Sequence, residues 1–366
     1  MGVNVTDPAL QRIVDRVQSA QAANAQLCIR GGGTKDFYGE VPQGEWLDTT
    51  VLEGISSYEP TELVITARCG TLLADVEAAL AENGQCLPFE PPRFAPGGTL
   101  GGMVAAGLAG PARAAVGSVR DFVLGATLLN GRSEVLSFGG QVMKNVAGYD
   151  VSRLLVGSLG TLGVILEVSL KVLPVAPATA TLRFRMSEAT ALARLNEWAG
   201  QPLPINASAW WSGTLMLRLR GAHAAVEAAV RSLGGERISP ALADPFWSGL
   251  RDQRDDFFLH AHEAVEAGQA LWRLSVPPTT PPLGLPGEQM VEWGGGQRWL
   301  LSDAPVGQVR NAMIQAGGHA ILFRAQDKST GVFAPLRSPL DRIHRELKKA
   351  FDPAGLFNPG RMYPGL

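Results

Sequence analysis

Three consecutive glycines, Gly31-Gly32-Gly33, directly follow the strand-like Leu27-Cys28-Ile29 and Arg30, and no other stretch restricts the fold as much. Residues without a Cβ let the chain take positive φ and turn successive backbone N–H groups toward one anion. The run Arg30-Gly31-Gly32-Gly33-Thr34-Lys35-Asp36-Phe37-Tyr38-Gly39 therefore predicts a strand followed by a loop that holds a phosphate or pyrophosphate. Gly-Gly also ends ordinary strands, so the loop by itself leaves both readings open. Residues 97–163 hold 15 of the 43 glycines, about twice an even share. They fall in three clusters: Pro96-Gly97-Gly98-Thr99-Leu100-Gly101-Gly102, Lys144-Asn145-Val146-Ala147-Gly148-Tyr149-Asp150, and Gly157 through Gly160-Thr161-Leu162-Gly163-Val164-Ile165. Repeated close approach of backbone to one extended ligand accounts for them better than four unrelated turns.

A chain of 366 residues predicts two domains. A net charge of −2 and the lack of a Lys/Arg block argue against a nucleic-acid surface. Cys28, Cys69 and Cys86 are odd in number and lie in apolar contexts, which predicts buried thiols in a reducing compartment rather than disulfides or metal ligands. No stretch reaches the roughly 18 apolar residues of a membrane span, so the expectation is a soluble, cytoplasmic protein that could still dock on a membrane through a partner.

Asp7-Pro8 predicts a helix start, followed by strands at 26–29, 46–52 and 63–67 and a helix over 71–83 ended by Gly84. Phe122 to Leu129, Asn130-Gly131 and Ser133 to Ser137 predict a hairpin, and Val164 to Leu173 a closing strand. Pro174 and Pro177 mark the end of a first domain over 1–175. Residues 181–238 then read β-α-β-β-α-β, a ferredoxin-like unit. After a polar helix around 246–258, a partial second copy spans 271–324, its first helix replaced by Pro277-Pro278-Thr279-Thr280-Pro281-Pro282. A second domain over 176–334 and a C-terminal segment, 335–366, result, the latter a helix opened by Ser338-Pro339 and a tail with Asn358-Pro359-Gly360.

With these motifs in this order, the chain resembles the flavoproteins of the vanillyl-alcohol oxidase and D-lactate dehydrogenase type, over roughly residues 5–175 and 335–366. The resemblance implies an α+β fold: a PCMH-type FAD-binding domain of two α/β subdomains, a ferredoxin-like cap, and a tail that returns to the FAD domain. It implies that Gly31 to Thr34, with Arg30 and Gly39 beside them, wrap the FAD pyrophosphate. It implies that Pro96, Gly97, Gly98, Thr99, Leu100, Gly101 and Gly102 let backbone approach the flavin side. Gly148 and Tyr149, then Gly160, Thr161, Gly163, Val164 and Ile165, would contact the cofactor by main chain, and Asn358 would return beside the ring. Arg30 reads equally as a phosphate ligand or as an Arg closing the strand end on a carboxylate, Lys144 as a phosphate partner or a solvated lysine, and Asn358 as a flavin neighbour or a plain turn.

Members that attach FAD covalently place a His where Thr34 stands, so noncovalent FAD is expected. Relatives acting on 2-hydroxy acids carry a His-rich, acidic metal motif late in the cap, whereas Gly317-Gly318-His319-Ala320-Ile321-Leu322-Phe323-Arg324 has one His and no carboxylate. No metal is expected, and His319 reads as a packed strand-end residue or as a base. His260-Ala261-His262-Glu263 lacks the second His of HExxH and reads as a solvated helix face. The short cap, Lys144 to Asp150 and Gly317 to Ala320 are most similar to FAD-binding subunits of bacterial glycolate oxidase. That similarity implies oxidation of a small 2-hydroxy acid beside a catalytic FAD subunit and an iron–sulfur subunit, or a second role: a non-catalytic electron-transfer or scaffolding subunit, which the missing His motif favours. An Arg of the cap would hold the substrate carboxylate, with Arg218, Arg251, Arg273 and Arg324 all open. No Gly-Lys-Ser/Thr follows a glycine loop and no GxSxG occurs, and the triplet lacks GxGxxG spacing and a ribose-binding acid.

Overall fold

Asp7 caps the first helix, as its place before Pro8 predicts: its carboxylate accepts from Ala9 N at 2.9 Å, and α1 (Pro8–Ala23) buries Leu10, Ile13, Val17 and Ala20. The computed structural model describes residues 7–140 and 150–366. β1 (Leu27–Arg30) and β2 (Glu45–Asp48) pair in parallel. There follow β3 (Ile55–Glu59), β4 (Val64–Arg68), α2 (Leu73–Ala81), β5 (Gln85–Cys86), α3 (Leu100–Ala106), α4 (Arg113–Val116), α5 (Val119–Phe122), β6 (Val123–Leu129), β7 (Val135–Gly139), α6 (Val151–Leu154), β8 (Val164–Lys171) and β9 (Leu173–Pro174). Five of these strands form one antiparallel sheet in the order β3-β4-β8-β6-β7, and α2 and α3 pack beside it.

Several elements depart from expectation for local reasons. The strand expected over 46–52 stops at Asp48, whose carboxylate takes Thr50 N and Oγ1 and turns the chain. The glycine loop expected over 97–102 ends at Thr99, which caps α3 by accepting from Gly102 N at 3.2 Å. Gly101 lies inside that helix because a Cβ would sit 2.7 Å from the Cβ of Cys69 and 3.0 Å from its carbonyl oxygen. The hairpin is present, but its loop runs from Asn130 to Glu134: Asn130 Oδ1 accepts from Arg132 N and Glu134 N, so a five-residue turn replaces the two-residue one.

In the cap, β10 (Ala178–Arg185), α7 (Glu188–Ala199), β11 (Ile205–Trp211), β12 (Thr214–Gly221), α8 (His223–Leu233) and β13 (Glu236–Ile238) make the expected ferredoxin-like unit. The single helix expected around 246–258 is two, α9 (Pro240–Asp252) and α10 (Asp256–Glu266). Gln253 turns left-handed at φ 55 and Asp255 recaps the chain by accepting from Phe258 N. Then come β14 (Ala270–Ser275), β15 (Glu288–Glu292), a 3-10 turn at Trp293–Gly295, β16 (Gln297–Ser302), α11 (Val306–Gln315) and β17 (His319–Arg324). The strand orders β13-β10-β12-β11 and β17-β14-β16-β15 are the same, and antiparallel pairing of β11 with β15 joins the two units into one eight-stranded sheet. The second unit is thus a copy of the first without its first helix.

α12 (Leu340–Phe351) starts with Pro339 at the cap position and no side-chain cap bond from Ser338. The tail then runs along β1: Leu27 N donates to Leu356 O at 2.7 Å and Asn358 N to Leu27 O at 2.8 Å, while Leu356 and Phe357 enter the first core. A second core lies between domain and cap, with Tyr38, Leu108 and Leu159 against Trp247, Phe258, Trp299 and Phe323. Glu90 latches the two parts: both its oxygens accept from Arg218 of β12 at 2.7 Å, and Arg220 adds a bond at 3.2 Å. All three cysteines are free thiols; Cys28 and Cys69 are buried, and Cys86 is only half-buried. Among the described residues no helix is long and apolar enough to cross a membrane.

Candidate functional site

The end of β1 and the approach to α3 meet without space between them. A Cβ on Gly31 would overlap Thr99 Oγ1, and one on Gly32 would overlap the carbonyl oxygen of Gly97. Of the triplet, Gly33 alone takes the positive φ expected of the run, at +70°, and Gly97 does so in the facing loop at +88°. Gly32 is required for lack of room, not for its φ. Within the described residues, no hydrogen bond takes up the N–H groups of Gly31 to Thr34 or those of Gly97 to Thr99. Two loops held in contact thus present unpaired backbone donors, the arrangement that suits an anion.

Lys35 adds a charge that the sequence reading passed over. Its ammonium lies 3.3 Å from Thr34 Oγ1 and above the Phe94 ring, with no carboxylate partner among the described residues. Desolvation, opposed by Asp252, lowers its pKa to about 8. The signal was present as a basic residue directly after a glycine turn. A diphosphate fits this donor set: it would supply the counter-charge that Lys35 lacks and acceptors for the free N–H groups. Arg30 pairs with Asp36 at 2.7 Å and lies over Trp46, with its guanidinium beside Gly33 of the loop.

The remaining expected residues divide by what stands next to them. Pro96 is exposed beside Gly97, and Gly98 has ordinary room for a Cβ, with Thr34 Oγ1 at 3.4 Å. Gly102 lies against Thr99. Leu100, Val164 and Ile165 have side chains in the first core, so only their main chain can meet a ligand. Gly39, at φ +90, abuts Arg361 O, and Gly160, at φ +72, abuts the Asn358 amide. Gly163 approaches the carbonyl of Leu129, and Thr161 donates to Ser158 O. Asn358 spends its side chain on backbone: Oδ1 accepts from Ile29 N at 2.6 Å and Nδ2 donates to Leu159 O at 2.5 Å. At Gly101, Gly160 and Gly163 neighbouring protein atoms leave no room for a Cβ. Lys144, Gly148 and Tyr149 lie outside the described residues.

A cavity lies between residues 92–111 of the first domain and the cap sheet, lined by Phe94, Arg273, Glu292, Gln297, Trp299 and Phe323 among others. Two of the four candidate arginines are excluded from a free role, since Arg218 serves Glu90 and Arg251 serves Asp252 at 2.8 Å. Arg324 lies flat on Phe37, 3.4 Å from the ring centre. Arg273 is buried in the cavity wall. It donates from Nε to Gln297 Oε1 at 2.7 Å, lies over the Trp293 ring at 5.3 Å, and forms no ion pair among the described residues. Gln297 in turn donates to Glu292 Oε2 at 2.9 Å, and Trp299 Nε1 donates to the same oxygen at 2.5 Å. Burial pushes Glu292 up to about 7 against these two bonds. His319 is exposed at the start of β17, opposite Ser275 and outside the cavity lining. His260 pairs with Glu288 at 2.9 Å and Glu263 is exposed on α10. Among the described residues no cluster of three His, Cys, Asp or Glu could hold a metal ion.

Comparison with known proteins gives these sites a context. Residues 9–139 match the FAD binding domain family. The chain is 48% identical over 356 residues to the glycolate oxidase subunit GlcE of Escherichia coli (strain K12), covering 97% of this chain and 98% of that one. It is 31% identical to the glycolate oxidase subunit GlcD of Bacillus subtilis (strain 168) over 40% of this chain and 31% of that one. With a D-lactate dehydrogenase of Anaerostipes hadrus it shares 33% identity over 36% of this chain and 27% of that one. A solved structure of an alkyldihydroxyacetonephosphate synthase superposes with a TM-score of 0.66 at 14% identity, over 95% of this chain and 75% of that one, which is a likeness of fold.

Proposed function

The chain belongs to the FAD-binding flavoprotein family that includes the glycolate oxidase subunit GlcE, and from that membership we propose that it is the FAD-carrying subunit of a complex that oxidises glycolate, or a similarly small 2-hydroxy acid, to the 2-oxo acid. The observation that carries this reading is the facing pair of glycine loops with unpaired N–H groups and the unpaired Lys35 ammonium. Gly31 to Thr34, Gly97 to Thr99 and Lys35 would hold the diphosphate of FAD, which when bound supplies the hydride acceptor for alcohol oxidation. Binding is noncovalent in this reading, because Thr34 offers no ring nitrogen for attachment. The partners are a second, catalytic FAD subunit and an iron–sulfur subunit, and any membrane association is peripheral and made through them.

Copurification of the complex from its natural host, with flavin counted per chain, tests the assignment. One FAD on this chain, released completely by acid precipitation, is the expected result. FMN in its place, an empty chain, or flavin fluorescence that stays with the denatured polypeptide would overturn it.

A further inference from the structure

We propose that Glu292 and Arg273 form a small-carboxylate site in the interdomain cavity, with the ligand carboxylate on Arg273 and its hydroxyl on the free oxygen of Glu292. The inference rests on the reading above that the chain serves hydroxy-acid oxidation and assigns the substrate end of it to residues of this chain. The cavity is lined by Phe94, Trp299 and Phe323 and has about 30 Å³ of free space, on the scale of a small ligand.

Two features of the polar groups show that this is a site and not only an interface. A buried guanidinium without a carboxylate is costly, yet Arg273 turns its Nε to a neutral amide, Gln297, and has no ion pair among the described residues. Glu292 lies one amide away, bridged by the same Gln297, and is not used as the counter-ion. Both bonds to Glu292 arrive at Oε2, while Oε1 has no hydrogen-bond partner among the described residues and belongs to a side chain lining the cavity. With Oε2 saturated as an acceptor, the proton of the neutral acid belongs on Oε1, facing the ligand. Neutral Glu292 donates there; ionised Glu292 accepts from a hydroxyl. A hydroxy acid meets either state, whereas a ligand with acceptors only meets the neutral one.

The charges around Glu292 are Arg273 on β14 and Asp255 at the start of α10, which act on it directly. Arg251 at the end of α9 also lines the cavity, and Tyr38 and Arg113 from the first domain, with His319 on β17, lie within electrostatic reach of Arg273. Asp255 is itself raised to about 6 by burial. An anion entering beside Arg273 adds negative charge next to Glu292 and favours its neutral form, so binding is linked to proton uptake.

The probe is oxalate, a non-oxidisable acid with no hydroxyl that is fully ionised from pH 6 to 8.5, titrated into the FAD-loaded complex and followed by the flavin absorbance change. Its Kd should rise toward tenfold per pH unit above pH 7. Glu292→Gln, which keeps the amide-bonded geometry, should remove that slope, and Arg273→Gln should weaken binding by about tenfold or more. Calorimetry of the unmutated complex in two buffers of different ionisation heat gives the same answer without a variant, as uptake of a proton near pH 7.5. A slope that survives Glu292→Gln, binding unchanged by Arg273→Gln, or no proton uptake overturns the site. Failure of oxalate to bind a complex that turns over glycolate also overturns the site and leaves the reading of function standing. Proton-linked oxalate binding by a complex inert to every 2-hydroxy acid supports the site and overturns that reading.

Discussion

Glu292 shows how one buried side chain couples stability to pH. Its pKa rises from the usual glutamate range to about 7, so the folded protein holds this proton more tightly than the unfolded chain does. The stabilisation is complete below the unfolded pKa, near 4.5, and is lost as pH rises through 7; its upper bound is on the order of 3 kcal/mol. Urea unfolding at pH 5 and pH 8 should show wild type losing more stability than Glu292→Gln across this window. A residual slope in the variant is expected from Asp255, which shifts in the same direction to about 6, and from Glu77 and Glu188, which burial also raises. Equal slopes would show that burial does not raise Glu292. At the glycines the same scale separates room from backbone conformation. Gly32→Ala drives a Cβ into Gly97 O, so the loops must part, and loss of FAD with a lowered Tm is expected. Gly98→Ala has ordinary room and no positive φ. It should leave Tm near that of wild type while weakening FAD, and an unchanged FAD affinity would place the cofactor elsewhere. The triplet was legible as a turn from its composition, but its partner, Gly97, is far away in sequence and the overlap appears only on folding.

At the scale of elements, α12 depends on one buried lysine. Lys348 donates to Thr161 O, Asp352 Oδ2 and Phe357 O, each at 2.7 Å, and so joins the helix, the 157–163 loop and the tail. Desolvation lowers its pKa and Asp352 opposes the shift. Lys348→Met strands the Asp352 carboxylate in the core, and a loss of about 3–5 kcal/mol is expected by chemical denaturation. Because the tail holds Asn358 against β1, the variant should also release FAD more readily; full stability would show that the segment is held by its apolar contacts alone. The helix itself was readable from Leu340, Ile343, Leu347 and Phe351, and the doubled ferredoxin-like unit from strand and helix periodicities that repeat in order. Other elements gave no such signal. α3 contains Gly101 and Gly102, poor helix formers; at Gly101 Cys69 leaves no space for a Cβ, and at Gly102 a Cβ would crowd Thr99 Oγ1. β3, Ile55–Glu59, is an exposed edge strand with two serines, and the break between α9 and α10 rests on the left-handed turn at Gln253. In the site the glycine loops were readable, whereas Lys35, Glu292 and Gln297 were not, because what distinguishes them is burial and the neighbours they meet on folding: Lys35 without a carboxylate, and Glu292 tied to Arg273 only through the Gln297 amide, which are properties of the packed chain.

For the molecule as a whole, the sheet of the cap closes over the first domain through an apolar, aromatic interface latched by Glu90. The same interface contains Arg273 and Glu292, so the proposed substrate end and the FAD loops belong to one chain; in the proposed function the route for electrons out of it belongs to the complex, and turnover would then require both. We therefore expect the FAD-loaded chain alone to reduce an artificial dye with glycolate slowly, and full rates to appear when the partner subunits are co-expressed. His319 is exposed at a strand end, outside the cavity lining, so His319→Ala should change turnover of the complex little. Loss of a positioned proton acceptor costs roughly 10²–10⁴-fold in rate, so a drop of that size in His319→Ala would make His319 the base. Dye reduction by the isolated chain as fast as by the complex would show that its electrons need no partner, and the subunit reading would fall with it.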